Sequence, residues 1–220
     1  MNLFEFSLAD ERLCALGSGA LWLSDHRTIC VSDLHFGKSG RVARRTGANL
    51  PPYETRDTLD RLARDLDTTQ ARTVICLGDS FDDLDAAADL PQADRLWITS
   101  LQAGRTWIWV EGNHDPGPVD LGGSHMAEIK CGRLTFRHIA EPDHVAEVSG
   151  HYHPKARVRL RGRSITRAAF LADRNRVILP AYGTYTGGLF SSAAELSGLM
   201  GPDALAILLG TPPRAVQMPR

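Results

Sequence analysis

Cysteine, lysine and long apolar runs are all scarce in this chain. Four cysteines, Cys14, Cys30, Cys76 and Cys131, are widely spaced over 220 residues, with no C-x-x-C pair. That argues against a disulfide framework or a zinc ribbon. Cys30 and Cys76 sit inside the apolar runs "TICVSD" and "VICLGD", where a free thiol behaves as a small buried hydrophobe. No segment approaches the ~18 consecutive apolar residues of a membrane span. The opening "MNLFEFSLADER" lacks the basic region and apolar core of a signal peptide. A cytoplasmic protein without membrane association is expected. With 43% hydrophobic and 23% charged residues, residues 1–220 can bury a core as one domain without staples.

Of 25 basic residues, 22 are arginine, and the formal net charge is −1. That balance does not indicate strong nonspecific duplex binding. The distribution is more informative. Between Lys155 and Arg176 stand eight basic residues and a single acid, Asp173. A second cluster, Lys38, Arg41, Arg44 and Arg45, follows the pair Asp33/His35. Solvated faces explain such clusters, and so does phosphate contact, because the arginine fork matches phosphate oxygens.

Apolar patterning gives short strands near 3–8, 12–15, 20–23 and 27–32. A helix over 52–67 follows Pro51-Pro52, with Leu59, Leu62, Ala63 and Leu66 on one stripe. The run "RTVICLGDS", a helical stretch over 82–103 and "RTWIWVEGNHD" complete two β–α–β crossovers. Beyond residue 120, runs at 126–131, 133–139, 145–149, 156–160, 164–171 and 176–181 alternate with turn signals and read as antiparallel strands. The glycine-rich "YGTYTGG" precedes a short helix at 192–199 and a strand at 204–209.

The apolar runs end in polar residues with unusual regularity. They deliver Asp33 and His35, Asp79 and Asp82, Asn113, His114 and Asp115, then His138, then His151 and His153. One such ending is an ordinary turn; five are not. Residues i and i+2 of a strand share a face, so Asp33/His35 and His151/His153 can point the same way. Carboxylates with imidazoles suit Mn, Fe or Zn, and the lack of cysteine ligands argues against a closed structural zinc site. Seven candidate ligands exceed what one ion needs. Two ions ~3.5–4 Å apart are a standard arrangement for attack at phosphorus. A single-metal site or a His/Asp catalytic pair leaves half of these residues unexplained.

The motifs D-x-H-x-G at Asp33–Gly37, G-D-x-x-D at Gly78–Asp82, G-N-H-D at Gly112–Asp115 and G-H-x-H at Gly150–His153 resemble the motif series of the calcineurin-like metallophosphoesterases. They stand in that family's order, with 46 residues from Asp33 to Asp79 and 34 from Asp79 to Asn113. The wider context, "LGGSH", "SGHYHPKAR" and "LPAYGTYTGG", is similar to the bacterial ligase-associated DNA-damage-response endonucleases. The resemblance implies a four-layer α/β/β/α sandwich of two mixed sheets flanked by helices. It also implies two divalent ions, preferably manganese with iron or zinc as alternatives. Asp33, His35, Asp79 and His153 would hold one ion; Asp79, Asn113, His138 and His151 the other.

By the same resemblance, His114 would protonate the leaving alkoxide and Asp115 would orient or charge-stabilise its ring. Asp82 is expected to support the ligands. His125, in "LGGSH", competes with His138 for the fourth motif; His138 is preferred as ligand, and His125 is expected to reach the phosphate or aid the leaving group. Lys38, Arg44 and Arg45 are candidates for flanking phosphates. Tyr182, Thr184 and Tyr185 could approach the site, with packing the default. The implied activity is DNA endonuclease action in repair, in functional association with DNA ligase, helicase and exonuclease. A phosphodiesterase or phosphatase for a small nucleotide or phosphoprotein would use the same site. A non-catalytic scaffold fits less well, because the full ligand set is retained.

Overall fold

A computed structural model describes residues 2–48, 50–160 and 162–220, without the side chains of Leu84 and Leu160. Arg161, one member of the basic run from Lys155 to Arg176, lies outside the described residues. The first sheet has seven strands in chain order: β1 (Leu3–Leu8), β2 (Glu11–Leu16), β3 (Leu21–Leu23), β4 (Thr28–Val31), β5 (Thr73–Leu77), β6 (Thr106–Val110) and β7 (Ser124–Met126). β1 to β4 form an antiparallel meander, and β4 to β7 run parallel. Between the parallel strands lie α1 (Lys38–Thr46), α2 (Glu54–Thr69), α3 (Leu84–Ala88) and α4 (Gln92–Gln102).

The second sheet has β8 (Glu128–Cys131), β9 (Leu134–Arg137), β10 (Glu147–Ser149), β11 (Lys155–Leu160), β12 (Arg163–Ala172), β13 (Arg176–Ile178), β14 (Leu205–Leu208) and β15 (Arg214–Gln217). Its order is β15-β14-β12-β13-β10-β9-β8, with β11 paired to β12 alone. α5 (Ala194–Leu199) covers its outer side.

Period-two alternation divides the core into layers. Ile29, Val31, Val74, Cys76, Trp107 and Trp109 pack outward against Leu59, Leu62, Leu66 and Ile98 of α2 and α4. Their neighbours Cys30, Ile75, Leu77, Ile108 and Val110 face inward, onto Phe136, Val148, Phe170 and Val177 of the second sheet. Strands buried on both faces read as continuous apolar runs, as parallel strands should. The result is the expected pair of mixed sheets with helices outside, thin on the α5 side.

Four sequence expectations need correction. The stretch 82–103 is two helices, divided at Pro91, which caps α4 and lacks the N–H that a continuous helix would need. The run 126–131 is two strands in different sheets, separated by Ala127. β10 pairs parallel with both β9 and β13, so the later strands are not uniformly antiparallel. α1 is a full helix where the sequence shows only a basic cluster; it buries no residue and carries no apolar stripe to announce it.

Candidate metal centre

Each candidate ligand sits just past the carboxyl end of a strand. Asp33 and His35 follow β4, Asp79 follows β5, Asn113 follows β6, His138 follows β9, and His151 and His153 follow β10. These ends converge where the two sheets meet. The chain turns abruptly there: Asp33 (φ 54°), His35 (47°), Asp79 (45°), His151 (69°) and His153 (47°) all adopt left-handed backbone. For residues with a Cβ, that conformation costs roughly 1–2 kcal/mol each. Such strain gathers at sites where geometry serves function.

The glycines of the motifs allow close approach. A Cβ on Gly112 would lie 2.1 Å from the Asp79 nitrogen, and one on Gly78 would lie 2.2 Å from His138 Nδ1. Either side chain would push apart two groups that the site needs in contact.

Among the described residues three sets of potential ligand atoms form: two gather expected ligands, and the third joins His35 to Asp82 and His114. In the first, His153 Nε2 is 3.0 Å from Asp33 Oδ1 and 3.5 Å from His35 Nε2. In the second, His138 Nε2 is 3.1 Å from Asn113 Oδ1, 3.3 Å from His151 Nδ1 and 3.4 Å from Asp79 Oδ2. Tautomers follow from the outer contacts. His138 Nδ1–H donates to the Leu77 carbonyl (3.1 Å), which leaves Nε2 turned toward Asn113, His151 and Asp79. His35 Nδ1 faces Asp82 Oδ1 at 2.9 Å, which leaves its Nε2 toward His153. Carboxylate-supported imidazoles are the usual surroundings of metal ligands. Lone pairs aimed at one another in a buried site repel unless a cation or proton lies among them. The residues present therefore fit divalent metal.

Electrostatics agree. Asp33 and Asp79 are buried, and no lysine or arginine among the described residues pairs with either. Burial alone would raise the Asp79 carboxyl; the His138 imidazole and the His114 N–H (2.8 Å to Oδ1) outweigh it and bring it down to about 2. Burial works against charge on His138 as well, yet Asp79 and Asp33 hold it up at about 8. At His35 and His151 burial prevails and lowers both, outweighing Asp82 beside His35 and the Asp33 and Asp79 charges near His151.

His114 stands beside this centre, about one-quarter exposed, with Nε2 3.9 Å from Asp79 Oδ2 and its ring edge-on to His35. Nδ1–H donates to the Asp82 carbonyl at 2.8 Å, so Nε2 is the atom free to carry a mobile proton. Asp115 does not orient this ring, contrary to expectation. Its Oδ2 accepts the Ser80 and Phe81 N–H groups (2.8 and 3.2 Å) and braces the loop behind Asp79. Adjacent residues in this turn point apart. Burial raises the Asp115 carboxyl to about 6.

The remaining candidates lie outside the two ligand sets. His125 does not join the centre; it lies in β7 with its ring stacked on Trp109. Lys38 and Arg44 are engaged by acids. Lys38 approaches Asp82 (3.4 Å), Arg44 pairs with Asp83 (2.9 Å) and Asp89 (3.5 Å), and Arg45 is exposed near the end of α1. Tyr182 is buried and donates to Asp65 (2.8 Å), while its N–H and that of Gly183 donate to the Ser32 and Asp33 carbonyls. The glycine-rich loop thus clamps the first ligand loop. Two side chains support the ligands without a role expected of them from sequence: Ser32, whose hydroxyl donates to Asp33 (2.5 Å), and Arg41, which holds Asp82 (2.9 Å). "VSDLH" hinted at the first; nothing local signals the second.

A search of curated protein sequences finds no match. Among solved structures, the chain is similar to the Pseudomonas putida nuclease MPE, with 25% identity and a TM-score of 0.76 over 97% of this chain and 100% of that one. The family model for calcineurin-like phosphoesterase matches residues 26–191, which contain every strand end that builds the centre. The chain belongs to the calcineurin-like phosphoesterases and is a metal-dependent phosphoesterase.

Proposed function

We propose that this protein is a two-metal phosphodiesterase that cuts DNA. The observation that carries the reading is its end-to-end structural likeness to a nuclease. Asp33, His35, Asp79 and His153 would hold one divalent cation and Asp79, Asn113, His138 and His151 the other, with Asp79 shared; manganese is the preferred ion. Bound there, two cations would lower the pKa of coordinated water and offset charge building on the phosphate.

The chain itself does the rest. The Leu77 carbonyl and the Asp82 carboxylate fix the ring orientations of His138 and His35. The Asp82 carbonyl holds the His114 ring by Nδ1, so that a proton on Nε2 can pass to the departing alkoxide. Asp115 keeps the loop after Asp79 in place through two backbone bonds. A cytoplasmic role in DNA repair, beside ligase, helicase and exonuclease, rests on motif context. Among the described residues, no helix is long and apolar enough to cross a membrane.

The test is nicking of supercoiled plasmid with Mn²⁺, beside hydrolysis of a chromogenic diester and monoester. Wild type should nick and should cleave the diester. His114→Ala should lose about 10²–10⁴-fold in rate. Diester cleavage without nicking would move the substrate to small nucleotides; cleavage of the monoester alone would contradict the reading.

A further inference from the structure

The basic run that begins at Lys155 has a definite place in the fold. β11 starts two residues after His153 and pairs with β12 in an antiparallel hairpin. β12 meets β14 only from Ala169 onward, so Arg163 to Ala169 overhangs the sheet by ~20 Å at ~3.4 Å per residue. The direction of the overhang is set by register. Ile178 pairs with Ser149 of β10 on one side and with Leu171 of antiparallel β12 on the other. The first half of β12 therefore runs past the end of the sheet from which His151 emerges.

The face is set as well. Phe170 and Ala172 point into the layer between the sheets, and Ala169 and Leu171 point outward toward α5. Ala168, Thr166 and Ser164 continue the inner face, and their partners across the hairpin are Lys155, Arg157 and Arg159. Ala156, from the alternate set, packs in the outer layer, which confirms the phase. Three cations thus line the inner face of an arm projecting past the metal centre. None of the three forms an ion pair among the described residues, and Arg157 and Arg159 are exposed. Beside them, Phe190 bridges to Lys155, is 38% exposed, and carries the Arg157 guanidinium 4.6 Å from its ring centroid.

We propose that the β11–β12 hairpin is an arm that holds the nucleic-acid strand flanking the scissile phosphate. Lys155, Arg157 and Arg159 contact phosphates, and Phe190 offers a face on which an unpaired base stacks. Cations in line with an exposed aromatic are the elements from which single-strand grooves are built. The proposal rests on the phosphodiesterase reading and adds what selects a polymer over a small diester.

The full-length protein would be titrated with a fluorescein-labelled single-stranded oligonucleotide in chelator, by anisotropy at several salt concentrations. Hydrolysis of an unlabelled oligonucleotide and of bis-p-nitrophenyl phosphate with Mn²⁺ would run alongside. Each phosphate contact contributes roughly 0.7 to the slope of log K against log salt for a single strand. Arg157→Ala/Arg159→Ala should therefore flatten the slope by ~1.4 and weaken binding at least tenfold. The oligonucleotide-to-small-diester ratio of kcat/KM should fall at least tenfold. Arg157→Lys/Arg159→Lys should recover the slope, and Phe190→Ala should weaken binding without changing it.

An alanine double variant with wild-type binding, slope and ratio would overturn the arm. So would a wild type that cleaves the small diester yet binds no oligonucleotide, although the phosphodiesterase reading would survive. Hairpin-dependent binding by a wild type that hydrolyses no diester would support the arm and overturn that reading. Hairpin-dependent binding to anionic vesicles but not to oligonucleotide would also overturn the arm.

Discussion

Two basic clusters of similar sequence appearance have opposite fates in this fold. On α1, Lys38, Arg41 and Arg44 turn onto Asp82, Asp83 and Asp89, and one of those carboxylates in turn holds His35. On the β11–β12 hairpin, Lys155, Arg157 and Arg159 meet no acid among the described residues and line an overhanging face. The first cluster is part of the scaffold of the metal centre; the second is available to an outside partner. Composition does not separate them, because the acids that neutralise α1 lie some forty residues downstream in sequence. A cluster's meaning depends on what the fold puts opposite it.

The sharpest way to break this contrast is at Asp82. Its side chain is 1% exposed and is contacted by His35, Lys38 and Arg41. Asp82→Ala leaves Lys38 without its anion, leaves Arg41 only its longer contact to Asp83 (3.6 Å), and frees the His35 ring. Breaking a buried pair costs about 3–5 kcal/mol. Since Lys38 and Arg41 retain some solvent contact, the lower end of ~3 kcal/mol is expected in urea unfolding. Metal affinity should fall about 10–100-fold, as when the support of a ligating histidine is lost. Unchanged metal affinity would mean that the α1 cluster has no bearing on the centre.

Arg157→Ala/Arg159→Ala, the matching change on the hairpin, should alter stability by no more than about 0.5 kcal/mol, the ordinary range for exposed positions. Its effect should appear only with polymeric substrate. If unfolding midpoints shifted as far as for Asp82→Ala, the hairpin would be structural and the contrast would collapse. Smallest of all should be Arg44→Ala. Arg44 pairs with Asp83 and Asp89 near the surface, and such exposed pairs contribute about 0–1 kcal/mol. Plasmid nicking by this variant should stay within twofold of wild type; a tenfold loss would return Arg44 to the substrate-binding residues.

Much of the centre was legible in the sequence because apolar runs that stop in carboxylate, imidazole or carboxamide mark strand ends. β4, β5, β6, β9 and β10 all bring their polar ends to one place. What the sequence hid was direction within turns. His114 and Asp115 are neighbours, yet one faces the Asp82 carbonyl and the other the Ser80 and Phe81 N–H groups. A backbone carbonyl leaves no residue-type signal, so the sequence points to the nearby carboxylate as the ring's partner. His125 misled for a related reason. A histidine after "LGGS" fits a loop near a site, whereas β7 places it against Trp109. The division of 126–131 between two sheets was equally invisible, because alternation alone does not say which sheet a strand joins.

The most direct measurement is the number of manganese ions bound per chain, by calorimetric titration of chelator-stripped protein. Wild type should bind two, and His138→Ala should bind one, with His153→Ala leaving the other position filled. At about 100 times Kd, bound metal should add about 2.7 kcal/mol to stability per site. A wild type that binds a single ion, or none, would contradict the reading of these converging lone pairs as a two-metal centre.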